Sequence, residues 1–214
     1  MADACARAGR DPAAVSLVAV TKTVPVERVH AAVEAGLTTF GENRVQEAES
    51  KAPLVDGAEW HLIGPLQSNK ERRALATFGV IESVGSTEQL ARLGRLARER
   101  QPRRPYPVLL QVNVDRDPAK AGFRPEALEA TADGVTSDLE IRGLMTVGRL
   151  VDRVEEARPT FVALRELSIA LRARWPALGP DLSMGMSDDF PIAIEEGATI
   201  VRVGRALFGD RPHA

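Results

Sequence analysis

The chain has 214 residues, 44% of them hydrophobic, enough to bury the core of one large domain or two small ones. Its 28 Lys and Arg against 30 Asp and Glu give a formal charge of -2, which lacks the basic footprint of a nucleic-acid binder. Cys5 is the one cysteine, excluding an internal disulfide and suiting a reducing cytosol, and no run of about 18 apolar residues is available to span a bilayer.

The first stretch, MADACARAGRDP, has no apolar segment of signal-peptide length, so a cytoplasmic location is expected; it reads as the shortened tail of a helix. VSLVAVT (15–21) is the first strand. PVERVHAAVEAG (25–36) follows as an amphipathic helix, with Pro25 just inside its start and Gly36 just past its end. Three strands come next: TTFGEN (38–43), EWHLIG (59–64) and VIESVG (80–85). TEQLARLGRLARER (87–100) is a helix, with Thr87 expected as its N-cap. Strands YPVLLQVNV (106–114) and LEIRGLMTV (139–147) precede the longest helix, 154–175, where Pro159 belongs in the first turns or at a kink. DLSMGM (181–186), a short helix over 190–198 ending at Gly197, and the strand TIVRVGRALF (199–208) complete the order.

Most of the eight strand runs are continuously apolar, as parallel strands covered on both faces are. Eight such strands with helical crossovers predict a single α/β domain over 1–214, a (β/α)₈ TIM-type barrel rather than an open doubly wound sheet. The first strand is not followed by a Gly-rich dinucleotide fingerprint, which counts against the open-sheet alternative. No Pro/Ser-rich linker or internal repeat divides the chain.

In such barrels the chemistry projects from the C-terminal ends of the strands. Lys22, at the end of strand one, is there expected to be partly desolvated. Burial favours a neutral amine, and a neutral amine attacks an aldehyde to form a Schiff base. The alternative is a lysine snorkelling to water. Across the mouth, SMGMSDD (183–189) offers Ser183, Gly185 and Ser187, and strand eight carries Arg202, Gly204 and Arg205. Barrels frequently bind phosphate in the loops after strands seven and eight. Ser-Asp-Asp before Phe190 is also an ordinary N-cap cluster. A lysine on strand one facing a phosphate cradle on strands seven and eight is what pyridoxal phosphate requires.

The motifs VAVTKT, FGENRVQE, WHLIGPLQSNK, LLQVNVDRDPAKAGF, RGLMTV and LSMGMSDDFPIAIEEGATIVRVGRALFG together resemble the YggS/PROSC family of pyridoxal phosphate homeostasis proteins, in register from about Val15 to Gly209. The resemblance implies an alanine racemase-like N-terminal barrel with no C-terminal β-domain. It also implies pyridoxal 5'-phosphate (PLP) held as a Schiff base on Lys22, for storage, buffering or delivery to apo-enzymes, with no established catalytic turnover. By the same resemblance Arg202 approaches the pyridine nitrogen, and a guanidinium there keeps the ring a weak electron sink. Ser187, Gly204 and Arg205, with Ser183, are the expected phosphate contacts. The family often has Thr or Ser where Arg205 stands, so a side-chain hydroxyl contact is missing at that position. It commonly has His where Pro65 occurs.

Asn43 is a candidate polar wall of the site, or else a turn residue. Met145 and Met184 are candidates to pack near the ring or to fill core. His61, His30 and His213 show no metal-ligand spacing. Lys70 and Lys120 stand in family motifs and would form a secondary basic site, or else lie solvated on the surface. Two other functions use related parts. A racemase needs a second acid/base on the opposite face of the substrate carbon, and the one tyrosine, Tyr106, begins strand five at the wrong end of the barrel. A cofactor-free Schiff-base aldolase acting on a sugar phosphate would also use a lysine and a phosphate cradle. No membrane or nucleic-acid partner is expected, and a monomer is.

Overall fold

The computed structural model describes residues 1–100, 104–131, 135–149 and 151–209. All eight expected strands form: β1 (Ser16–Val20), β2 (Thr39–Glu42), β3 (Glu59–Leu62), β4 (Val80–Val84), β5 (Tyr106–Gln111), β6 (Leu139–Met145), β7 (Asp181–Ser183) and β8 (Ile200–Val203). Each pairs in parallel with the next, and β8 closes onto β1 with Val18 opposite Arg202 and Ala19 opposite Val203. The result is a closed eight-stranded barrel.

Helix α1 (Ala2–Arg7) precedes β1; α2 (Val26–Glu34), α3 (Val45–Lys51), α4 (Glu71–Thr77), α5 (Thr87–Glu99), α6 (Leu128–Thr131), α7 (Arg158–Arg172) and α8 (Phe190–Glu195) run between the strands on the outside, and α9 (Arg205–Phe208) follows β8. Among the described residues no helix is long and apolar enough to cross a membrane.

The alternation of strand side chains explains why the strands read as continuous apolar runs. One parity of each strand packs outward under the helices, as Phe40, Leu62, Ile81, Leu110, Leu144 and Val201 do, and Phe161 and Leu164 of α7 are among those covering them. The other parity fills the barrel with Val18, Val80, Leu109, Met145 and Ile200, against which Ile63 and Val147 pack. Each fully buried Leu, Ile or Phe contributes about 1.5–3 kcal/mol.

Several boundaries differ from expectation. Strand eight ends at Val203, and 205–208, expected as strand, is helix α9; the amides of Leu207 and Phe208 both turn back to the Gly204 carbonyl, at 2.9 Å each. Ala206 and Leu207 favour that helix, and it returns Phe208 to the core. The N-cap of α5 is Ser86, whose hydroxyl accepts from the Gln89 amide at 3.2 Å, so Thr87 is the first helical residue. Pro25 is the N-cap of α2 rather than its first residue, while Gly36 ends it as expected, at φ +92. Pro159 lies in the first turn of α7, where its missing amide costs nothing. Strands one, two and seven stop short, so Lys22, Asn43 and Met184 lie just beyond strand ends.

Candidate functional site

The turn after β1 carries Lys22. The ladder continues one residue past the strand, the Thr21 amide donating to the Gly41 carbonyl at 3.0 Å, and the Val24 amide then closes a turn onto the Thr21 carbonyl at 2.9 Å. Lys22 is half-buried within it. Thr23 has φ +64, a left-handed conformation rare for a β-branched residue. On the outer side of β1 and β2 lies a polar cluster. Lys51 Nζ donates to the Thr21 carbonyl at 2.7 Å, to Glu42 Oε1 at 2.8 Å and to Glu47 Oε1 at 2.6 Å. Thr21 Oγ1 donates to Glu42 Oε1 at 2.7 Å, and the Thr23 amide donates to Glu47 Oε1 at 2.6 Å. Burial pushes the Glu42 carboxyl above its usual range, against the opposing hydrogen bonds from Lys51 and Thr21.

The end of β8 abuts this turn. A side chain on Gly204 would place its Cβ 3.3 Å from both the Cβ and the carbonyl oxygen of Val20, so the two strand ends approach closely there. The hydroxyl of Ser187 accepts from the Gly204 amide at 3.3 Å and from the Ala206 amide at 3.4 Å. These are long bonds to a neutral acceptor, whereas charge-assisted ones are shorter and stronger. Two backbone donors and a hydroxyl therefore converge one strand away from Lys22. Arg205 is exposed and pairs with Asp188 at the surface. The buried Asp189 accepts from the Met186 amide at 2.6 Å, shaping the same loop, and burial raises its pKa.

Arg202 projects into the barrel, only 4% exposed. One guanidinium nitrogen donates to Ser183 Oγ at 2.6 Å and the other to the Thr146 carbonyl at 2.7 Å. Ser183 in turn donates to Glu82 Oε2, which lies 4.0 Å from Arg202 Nη1. Glu82 Oε1 is 2.6 Å from His61 Nδ1, and His61 Nε2 faces Glu59 Oε2 at 3.8 Å. Burial alone would lower the pKa of His61, but the two carboxylates outweigh it and lift it to about 9. Glu82 is fully buried, which would raise it, yet His61 and Arg202 hold it below the usual carboxylate range. An anionic Glu82 thus lies between two cations inside the barrel.

The other expected residues are more scattered. Asn43 is half-buried just past β2. Met145 and Met184 are fully buried, the first inside the barrel and the second in the core beneath the helices. Lys70 ends a short helical turn after β3. Lys120 is half-buried, donating to the Val147 carbonyl at 3.1 Å with Asp115 at 3.7 Å, so it ties the loop after β5 to the end of β6 rather than standing solvated. Tyr106 donates its hydroxyl to the Phe78 carbonyl at 2.6 Å, at the entry end of β5. His213 lies outside the described residues. Sequence reasoning missed Glu82, Thr146, Glu42, Glu47 and Lys51. A lone acid inside the apolar run VIESV, and Glu47 with Lys51 at helical i,i+4 spacing, were the available signals.

Comparison with known proteins agrees with this architecture. The family model described as "Alanine racemase, N-terminal domain" matches residues 4–212. The pyridoxal phosphate homeostasis protein of Pseudomonas aeruginosa is 45% identical over 99% of this chain and 91% of its own length. PipY of Synechococcus elongatus, in its structure with PLP bound, superposes with a TM-score of 0.85 at 39% identity, covering 97% of this chain and 99% of that one. Alanine racemase from Corynebacterium glutamicum, at 19% identity, covers 99% of this chain and 62% of that chain with a TM-score of 0.73, a likeness of fold.

Proposed function

Because the chain belongs to the alanine racemase N-terminal domain family and, within it, to the pyridoxal phosphate homeostasis proteins, we propose that it binds PLP and keeps it in reserve as a Schiff base on Lys22. The observation that carries this reading is the adjacency of two features on one rim. The Lys22 turn follows β1, and beside it at the end of β8 lie the Gly204 and Ala206 amides that donate to Ser187 Oγ. The residues fit a phosphorylated aldehyde. Among the described residues the amides of Gly204 and Ala206 have only the weak acceptor Ser187, and a phosphate oxygen would make shorter, charge-assisted bonds with them. PLP would supply the aldehyde; the chain supplies the amine, the anion cradle and Arg202. Arg202 would disfavour protonation of a pyridine nitrogen held beside its guanidinium and so would leave little electron-sink chemistry. Asn43 is assigned to the wall of the site and Ser183 to the support of Arg202.

This is a holder of the cofactor rather than an enzyme, and it would act in the cytoplasm as a single-domain monomer that releases PLP to apo-enzymes. The racemase alternative gains nothing from Tyr106, which is tied to Phe78 at the far end of the barrel. Purified protein titrated with PLP should gain a visible band that borohydride removes, and peptide mapping should place the reduced pyridoxyl group on Lys22. Lys22→Ala should lose the covalent adduct while keeping its circular dichroism spectrum. An adduct on another lysine, or no uptake at all, would overturn the reading.

A further inference from the structure

We infer that Lys51 and Glu47, footed on Glu42, form a positioning unit that fixes the backbone on both sides of Lys22; this deepens, and rests on, the cofactor reading above. The unit grips two main-chain atoms that flank the lysine. Before it, the Thr21 carbonyl accepts from Lys51 Nζ at 2.7 Å; after it, the Thr23 amide donates to Glu47 Oε1 at 2.6 Å. The two grips are joined to each other through the 2.6 Å Lys51–Glu47 contact and to β2 through Glu42 Oε1. The side chain of Lys22 leaves the chain between them.

Two features argue that this arrangement positions rather than merely stabilises. Thr23 is held at φ +64, a conformation that a β-branched residue keeps only where its surroundings over-determine it. The hydrogen bond from its amide to Glu47 is such a constraint, and without it the residue should relax towards negative φ and carry Lys22 with it. Second, the cluster is a poor stabilising device. Glu42 is wholly buried with Oε2 lacking a hydrogen-bond partner among the described residues, and Lys51 is 7% exposed. Burying a carboxylate incompletely satisfied costs stability. The Lys51 bonds to the Thr21 carbonyl and Glu42 are buried and unscreened, a stiff footing from which Glu47 reaches the exposed Thr23 amide.

Glu47 is the place to test this, because its side chain is partly exposed and its loss should leave the fold intact. In cofactor-free protein, Glu47→Ala should speed hydrogen exchange at the Thr23 amide by about tenfold or more, and PLP should then bind about tenfold more weakly, the cost of disturbing a supporting contact. Glu47→Gln keeps an oxygen for that amide and should recover most of both losses. Lys51→Met should match Glu47→Ala in affinity; if Lys51→Met does not fold, the Glu47 pair decides. Unchanged Thr23 exchange and PLP affinity in Glu47→Ala would overturn the inference, as would a Gln variant no better than Ala. If wild-type protein forms no adduct, the cofactor reading fails, and the exchange measurement alone still decides whether Glu47 holds the turn.

Discussion

Arg202 is anchored at both ends of its guanidinium, to Ser183 and to the Thr146 carbonyl, and its charge is set against Glu82. Removing it would leave Glu82 buried with His61 as its remaining cation. Arg202→Ala should therefore cost about 3 kcal/mol of folding stability, read as a lower urea midpoint; a midpoint within error of wild type would show that Glu82 does not depend on Arg202. Arg202→Glu is worse still, since it sets a second carboxylate beside the first. The sequence made Arg202 visible as a cation inside an apolar strand, and Glu82 as an acid inside another. Their connection was not visible. It runs through Ser183, which is 101 positions from Glu82, and no local spacing encodes a contact made across the inside of a barrel.

Elements were legible in proportion to their apolar pattern. Eight buried strands and the long helices α2, α5 and α7 announce themselves by continuous or periodic hydrophobicity. Helices α3 and α4 are short and charged, ERRALAT being typical, and take their shape from the strands they cover. The boundary after Val203 is not legible because RALF is as apolar as the strand before it, and its hydrogen bonds to Gly204 are what distinguish it. Beyond α1, Arg10 shows how the start of the chain is fastened. Its guanidinium donates to the Ile194 carbonyl in the last turn of α8 and to the Ala198 carbonyl in the connection to β8, at 2.7 and 2.8 Å. Arg10→Ala should lower stability by about 1–2 kcal/mol in urea denaturation, and no change would mean that water replaces it fully.

At the scale of the molecule, the interior cation His61 predicts a pH dependence. Its pKa is raised from an ordinary 6.5 to about 9, so the native chain holds a proton that the unfolded chain releases. The stabilisation is complete below 6.5 and is lost as pH rises through about 9, an effect on the order of 3 kcal/mol. Urea midpoints measured from about pH 6 to about pH 10 should fall and then level, and the fall should vanish in His61→Gln. A flat wild-type profile would contradict the charged pair with Glu82.

The seam between β1 and β8 also dictates when the rim can exist during synthesis. Lys22 leaves the ribosome well before Ser187, Arg202 and Gly204, so a nascent chain displays the amine before those partners across the rim exist. Ring closure joins the first strand to the last, which is the slowest sort of contact to establish. Grip on any ligand at that rim thereby waits until both seam strands are made and paired.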